Sequence, residues 1–152
     1  MHGLQIRATG TLPVLGVVKG IFSNLSTMFG AEVKVEPPAS ALWRWGLPEG
    51  EAVPLALVLN ELGTNAIKYR ASRDLPIHVR LLPRADGLEL RIENPGELSP
   101  GFDLAKIASG VSGLGLVKAL LPRRGARLAI ERAGTQVVTR VELTAPAIRE
   151  DP

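Results

Sequence analysis

The sequence predicts an α+β domain with two layers, in which helices cover one face of a mixed, mostly antiparallel sheet. Three observations lead to this fold class. The length of 152 residues fits one domain, and apolar residues make up 45% of the chain, which is enough for a sizeable core. The predicted elements also follow a repeated order of one helix and then two strands, which favours a sheet covered on one side.

The first half of the chain contains two predicted helices with a pair of strands between them. Residues 12–29 carry apolar side chains at helical spacing. Residues 31–35 and 41–45 are predicted as strands, separated by two prolines that suit a turn. Residues 51–69 form the strongest predicted helix, with Pro54 in the first turn, where a missing N–H costs little.

The second half is predicted to contain two hairpins with a short helix between them. The strands of these hairpins are residues 75–82 and 88–93, then 126–131 and 136–143. Residues 98–110 are predicted as a loop with one helical turn, and residues 113–121 as a helix that Pro122 stops. The predicted organisation is an N-terminal segment with its helix over 1–30, the main domain over 31–146 and a polar tail over 147–152.

The composition excludes several kinds of site. The chain has no cysteine, which excludes a disulfide scaffold and a cysteine-ligated zinc or iron–sulfur site. The net charge of +3 is mild, and no basic run is interleaved with aromatic residues, so we expect no nucleic-acid partner. No apolar stretch is long enough to span a bilayer, and no signal-peptide pattern precedes the domain, so we expect a cytoplasmic location without membrane contact.

A polar stripe on the strongest predicted helix is the most informative pattern in the chain. Glu61, Asn65 and Lys68 lie at positions i, i+4 and i+7, so they share one face of the helix, opposite the apolar one. An amide or carboxylate oxygen suits Mg²⁺, a lysine neutralises phosphate, and a glutamate can orient a water or accept a proton. Spacing alone nevertheless favours an ordinary surface helix with solvated charges.

The same helix resembles the N box of the GHKL superfamily, which includes histidine kinases, gyrase-type topoisomerases, Hsp90 chaperones and MutL. The matching residues are Glu61-Leu62, Asn65-Ala66 and Lys68-Tyr69. The resemblance implies that Asn65 and Glu61 are catalytic and hold Mg²⁺, that Lys68 reaches phosphate, and that Tyr69 lies against the nucleotide. Asn60 stands where many relatives in one kinase subgroup have a histidine, so its role stays open.

The turn Asn94-Pro95-Gly96 follows a predicted strand, where the superfamily has a D-x-G motif. Taken alone, this sequence indicates only a turn. The resemblance implies that Asn94 accepts a hydrogen bond from the adenine amino group and that Gly96 lets the backbone approach the nucleotide. Asn94 replaces the family's aspartate, so the bond is neutral and weaker by about 1 kcal/mol.

Two further glycine motifs follow in the family's order. The segment from Gly110 to Leu116 resembles the kinase G2 box, with Val111 in place of its first glycine. The resemblance implies that Gly113, Leu114 and Gly115 bind phosphate through N–H groups at a helix start. Gly134-Thr135 resembles the closing G-T motif, in which the threonine, here Thr135, backs the adenine. The resemblance also implies that residues 97–110, between the Asn94-Pro95-Gly96 turn and the G2-like segment, form a short ATP lid, in which Phe102 is a remnant of an aromatic motif.

Together these motifs imply a Bergerat-type ATP-binding fold and the ATP-binding catalytic domain of a two-component sensor histidine kinase, with ATP and Mg²⁺ as cofactors. Such a domain transfers the γ-phosphoryl group to a histidine on a dimerisation domain and serves a response regulator indirectly. The only histidines are His2 and His78, and neither lies in a suitable helical pattern. We therefore expect a catalytic domain whose phosphoacceptor domain is supplied by another segment or another chain.

The sequence is also compatible with three other functions. An anti-sigma-type kinase of the same superfamily phosphorylates serine on a protein partner. An ATP-hydrolysing machine of the gyrase or MutL kind would use Glu61 as its base, although the short lid argues against it. A degenerate docking module would keep the fold without nucleotide, which the departures at Asn94 and Val111 make credible.

Overall fold

The computed structural model describes residues 10–150, which form three α-helices and two β-sheets. In chain order the elements are β1 (Thr11–Pro13), α1 (Val14–Phe29), β2 (Val33–Val35), β3 (Trp45–Pro48), α2 (Glu49–Lys68), β4 (Ile77–Arg84), β5 (Gly87–Pro95), α3 (Gly113–Leu120), β6 (Ala126–Ala133), β7 (Gln136–Thr144) and β8 (Arg149–Glu150). Two short 3₁₀ helices occupy Ser40–Arg44 and Leu104–Lys106. Within this part of the chain, no helix is both long and apolar enough to cross a bilayer.

The larger sheet has the strand order β2-β4-β5-β7-β6. Only the β2–β4 pair is parallel, so the predicted mixed and mostly antiparallel sheet is confirmed. Residues that face each other across the strands share one side of the sheet, and the row Leu81, Leu90 and Val141 is buried there. This inner side and the buried sides of α1 and α2 form one core. The predicted two-layer arrangement is therefore present.

On the outer face of the large sheet, charged side chains form hydrogen-bonded ion pairs. Glu89 is buried on this face, where Arg84 Nη2 donates to its Oε1 at 2.6 Å and Arg91 Nη2 donates to its Oε2 at 2.7 Å. Burial alone would raise the pKa of Glu89, but the hydrogen bonds and charges of the two arginines outweigh it and lower that pKa. The two arginines therefore keep Glu89 ionised although it is buried.

Helix α2 follows the prediction except at its start. Its predicted apolar face is buried, with Leu55, Val58 and Leu59 in the core. The helix begins at Glu49, two residues earlier than expected, because acidic residues in its first turn suit the helix dipole. Pro54 therefore lies in the second turn rather than the first, inside the helix.

The strand predicted over residues 41–45 is wrong. Ser40–Arg44 is a 3₁₀ helix, which Leu42 N closes by donating to Ala39 O at 3.0 Å. Leu42 is buried and Trp43 is partly exposed, and the backbone that carries them is a tight turn rather than a strand. The actual strand is β3, which pairs with β1 and β8 in a second sheet and makes no pair with β2.

The end of the chain also differs from the polar tail predicted over 147–152. Ala147 and Ile148 are buried in the common core, and β8 pairs with β3. Arg44 and Glu150 form an ion pair at 3.3 Å across this pairing. The polar residues after Ile148 led to the prediction of a tail, but Ala147 and Ile148 belong to the core, which therefore continues beyond residue 146. Residues 1–9, with His2, and residues 151–152 lie outside the described part of the chain.

We predict that Ile148→Ala strongly destabilises the fold, because Ile148 is fully buried. The expected loss in the free energy of unfolding is about 2–5 kcal/mol. Urea denaturation measures it, and Val53→Ala is a control because Val53 is 67% exposed. The control should change stability by at most about 0.5 kcal/mol. Equal stability of the two variants would show that the chain end does not contribute to the core.

Candidate functional site

A cavity of about 190 Å³ lies between α2, the inner side of β5–β7–β6, the start of α3 and the loop after β5. Most of its surface is apolar, with a few amide and hydroxyl groups and the carboxylate of Glu97. The lining residues are Leu62, Asn65, Ala66, Tyr69, Asn94, Glu97, Leu98, Ser99, Phe102, Leu114, Ile130, Val137 and Thr139. An apolar cavity with a few convergent polar groups is the usual form of a small-molecule site.

Asn94 stands near the end of β5 and is only 4% exposed. Its one side-chain hydrogen bond among the described residues is a long contact of 3.5 Å from Nδ2 to Pro95 O. The side-chain oxygen is therefore left to accept a hydrogen bond inside the cavity. Because this acceptor borders the cavity and has no protein partner among the described residues, the amide is suited to a ligand that carries an N–H donor.

The turn after Asn94 is hydrogen-bonded to two other segments of the chain. Gly96 N donates to Thr135 O at 3.1 Å, and Ala71 N donates to Pro95 O at 2.7 Å. A Cβ at Gly96 would lie 3.0 Å from Tyr69 O, so a side chain there would press on the end of α2. Gly96 thus permits the close approach of the β5 end to α2, which fixes the position of Asn94.

Helix α2 supplies only part of its polar stripe to the cavity. Asn65 and Tyr69 line the cavity one turn apart. Asn65 has no side-chain hydrogen bond among the described residues, and Tyr69 is 72% exposed at the cavity edge. Glu61 is half-buried one turn before Asn65, and Lys68 is exposed beyond it, and neither lines the cavity.

The glycine-rich segment has a packing role that its sequence did not reveal. Of the three residues predicted to bind phosphate there, only Leu114 lines the cavity. A Cβ at Gly115 would lie 2.8 Å from Ala108 O, and Gly110 N donates to Gly115 O at 2.9 Å. Gly115 therefore lets the end of the preceding loop rest against α3. Gly113 begins the helix with a φ of 57°, a conformation that glycine adopts readily.

The first N–H groups of α3 remain free at the helix start. The Ser112 side chain does not cap the helix. No described backbone carbonyl accepts from the N–H groups of Gly113, Leu114 or Gly115, and the first helical bond is from Leu116 to Ser112 O. This end of α3 therefore has the unpaired donors that a phosphate requires.

The structure separates Thr135 from the cavity that contains Asn94. Thr135 and Gly96 line a neighbouring cavity of about 420 Å³, together with Tyr69, Ala71, Glu97 and Arg132. The buried threonine of the Asn94 cavity is Thr139, which stands opposite Ile92 on the inner side of β7. Sequence reasoning missed Thr139, although its position gave a signal: it is the one polar residue among the alternating inward positions 137, 139, 141 and 143.

The residues available for a metal are few. Among residues 10–150 no group of three or more acidic or histidine side chains lies close enough to hold a metal ion. Such a cluster is not required for Mg²⁺, which keeps several waters and uses one or two protein oxygens together with substrate phosphates. The Asn65 side-chain oxygen, with the Glu61 carboxylate one turn away, fits that limited requirement.

The chain is similar to solved structures of histidine kinases. The histidine kinase domain of a blue-light activated histidine kinase from Erythrobacter litoralis matches with a TM-score of 0.70 and 20% identity, over 91% of this chain and 65% of that one. The catalytic domain of histidine kinase ThkA matches at 0.68 and 15%, over 88% and 93%. The ATP binding domain of PrrB from Mycobacterium tuberculosis matches at 0.66 and 16%, over 90% and 96%.

These similarities show the fold. No protein-family model matches the chain, and no curated protein matches it. The chain spans 65% of the length of the Erythrobacter kinase domain and 42% of the whole light-activated kinase. It has the fold of histidine kinase catalytic domains, so the fold expected from the sequence resemblance is confirmed.

We predict that Gly115→Ala loosens the loop before α3, because the added methyl group starts 2.8 Å from Ala108 O. The amide hydrogen of Gly110, which is bonded to Gly115 O, should exchange about tenfold faster. Gly110→Ala is a matched control, since its methyl group meets nothing closer than 4.0 Å. Hydrogen exchange, corrected for the intrinsic rate at residue 110, measures the effect. An unchanged rate in Gly115→Ala would contradict the packing role.

Proposed function

We propose that this chain is the ATP-binding catalytic domain of a two-component sensor histidine kinase. In this role it transfers the γ-phosphoryl group of ATP to a histidine on a separate dimerisation domain. The observation that carries the proposal is the buried Asn94 amide, which has a free acceptor in an apolar cavity beside the half-buried Asn65. The kinase structures of the same fold support it, since one of them is described as an ATP binding domain.

The cavity suits the base of a nucleotide rather than the whole molecule. Its volume of about 190 Å³ is below the range of roughly 300–1,000 Å³ that encloses a drug-sized ligand. A planar adenine fits between apolar side chains such as Leu62, Ile130 and Val137, with its amino group donating to Asn94 Oδ1. The ribose and phosphates then extend out of the cavity toward Asn65 and the start of α3.

The groups around the cavity mouth match a metal triphosphate. Asn65, with Glu61 one turn earlier, would hold Mg²⁺ through oxygen atoms. Lys68 and the free N–H groups of Gly113 to Gly115 would bind phosphate oxygens. When bound, Mg-ATP supplies the phosphoryl group and a metal ion that neutralises its charge.

The chain's own residues act by positioning rather than by covalent chemistry. Asn94 and the apolar walls orient the base, and Asn65 and the α3 start orient the triphosphate toward an incoming nucleophile. The one described histidine, His78, lies on β4 in line with Glu93, on the outer side of the sheet away from Asn94. The phosphoacceptor histidine therefore comes from a dimerisation domain in the same or another chain.

This role implies two protein partners and a cellular location. The direct partner is the dimerisation and phosphoacceptor domain, and a response regulator receives the phosphoryl group from that domain. ATP is supplied in the cytoplasm, where we expect this domain to act. No direct contact with nucleic acid or membrane belongs to the proposed role.

We predict that Mg-ATP binds the chain in titration calorimetry and that Asn94→Ala removes its preference for ATP. The adenine amino group donates to Asn94, whereas guanine has a carbonyl at that place. The wild-type chain should therefore bind ATP about tenfold more tightly than GTP, and Asn94→Ala should bring the two affinities together. Asn60→Ala is the control, because Asn60 does not line the cavity. No binding of wild type at millimolar Mg-ATP would exclude the kinase role.

We predict that the chain phosphorylates histidine when its dimerisation domain and γ-labelled ATP are supplied. The label should be lost in acid, because phosphohistidine is acid-labile, and Asn65→Ala should reduce it by at least about a hundredfold. Acid-stable label on serine would instead identify a serine kinase. Phosphate release without labelled protein, lost in Glu61→Gln, would identify an ATP hydrolase. Tight ATP binding with neither product would separate a failure of transfer from a failure of binding.

A further inference from the structure

Strand β6 forms one edge of the large sheet, and within residues 10–150 its outer backbone edge is unpaired along its whole length. It has eight residues, contains no proline and pairs only with β7. The opposite edge strand, β2, has three residues. Edge strands are usually kept short or blocked, because their unpaired backbone groups invite another strand. The β6 edge therefore offers a place where an extended segment can add to the sheet.

The register identifies which β6 groups are free. Thr144 N donates to Gly125 O, so the hydrogen-bonded pairs with β7 fall on the odd-numbered residues of β6. The N–H and C=O groups of Ala126, Leu128 and Ile130 consequently point away from β7. No backbone hydrogen bond from residues 97–110 reaches them within the described chain.

A groove of about 800 Å³ runs along this free edge. One wall is β6, and the other is formed by the loop residues Leu98 and Phe102 to Ala105, with the end of α3 closing the groove. Its inner side is apolar, with Phe102, Leu121 and Leu128. The space beside the free backbone groups is thus already lined for side chains of an added strand.

The groove also has a small excess of positive charge, since Lys118, Arg123 and Arg127 line it together with two acidic residues, Asp103 and Glu131. Arg123 and Arg127 line it and are exposed, and neither has an ion pair or hydrogen bond among the described residues. Of the two acidic residues in the groove, only Glu131 is in an ion pair among the described residues, and Glu142 lies opposite Arg127 on β7. Asp103 accepts from Ala105 N, and Glu131 pairs with Arg140. Charge complementarity therefore selects an acidic occupant.

We infer that the β6 edge binds an extended acidic segment of a partner protein by β-strand addition. In an added strand, successive side chains point to opposite faces. Apolar residues of the segment face Leu128 and Phe102 on the inner side, and Asp or Glu residues alternate with them on the side of Arg127. This interaction surface does not include Asn94 or Asn65, although it shares Leu98, Phe102 and Ile130 with the lining of their cavity, and its test does not depend on the proposed kinase activity.

The test uses the purified chain and a fluorescent eight-residue peptide of alternating valine and glutamate. Anisotropy should show saturable binding, which Arg127→Glu weakens at least about tenfold and Arg123→Glu with Arg127→Glu weakens further. Lys34→Glu is the matched control, because it reverses an exposed charge on the opposite edge strand. It should change the affinity less than about twofold. Thermal unfolding of each variant confirms that the exposed substitutions leave the fold intact.

Two further measurements separate strand addition from simple charge attraction. In an antiparallel added strand the valines lie opposite Ala126, Leu128 and Ile130, so a peptide N-methylated at its valines should bind at least about tenfold more weakly, because it cannot complete the backbone pairing. The amide hydrogens of Ala126, Leu128 and Ile130 should become protected from exchange only in the complex. No binding of the acidic peptide, equal binding of the methylated peptide, or unchanged exchange at these amides would overturn the inference. Arg127-dependent binding of a single-stranded oligonucleotide in place of the peptide would overturn it as well.

Discussion

The close packing of α1 against α2 at Gly63 is the contact on which the arrangement of the site depends. A Cβ at Gly63 would lie 2.5 Å from Leu25 Cδ1 and 3.0 Å from Phe22 Cε1, and both of these side chains are buried. A glycine inside a helix lowers the stability of the fold by about 1 kcal/mol, but the burial of one large apolar side chain stabilises it by about 1.5–3 kcal/mol. The contact therefore fixes α2 with Leu62 and Ala66 turned toward the cavity.

The cavity is a continuation of the core rather than a separate feature. Along β5, the inward residues Leu88, Leu90 and Ile92 are buried in the core, and the next inward residue is Asn94. Along β7 the same side passes from Leu143 and Val141 to Thr139. Polar groups thus enter the inner face of these two strands at the cavity, where α2 and the start of α3 border it. Asn94 is almost fully buried beside this core, and its side-chain oxygen has no protein partner among the described residues.

The loop between β5 and α3 lies beside both the Asn94 cavity and the β6 groove. Its later part is fastened to α3, since Lys118 Nζ donates to Leu104 O at 3.1 Å and to Ile107 O at 2.6 Å, and Gly115 accepts from Gly110 N. Its earlier part, with Leu98 and Phe102, lies between the Asn94 cavity and the β6 groove and lines both. A ligand in either place therefore contacts the same two side chains.

The sequence by itself determined the fold class, the three helices and most of the strands, because helical and two-residue periodicity record which side of each element is buried. It also determined the residue types near the site through motifs that stand in order along the chain. Only the tertiary structure decided that residues 40–44 form a 3₁₀ turn, that Ile148 belongs to the core, and that Thr139 rather than Thr135 lines the cavity with Asn94. Each of these outcomes depends on contacts between segments far apart in the chain, which local periodicity does not contain.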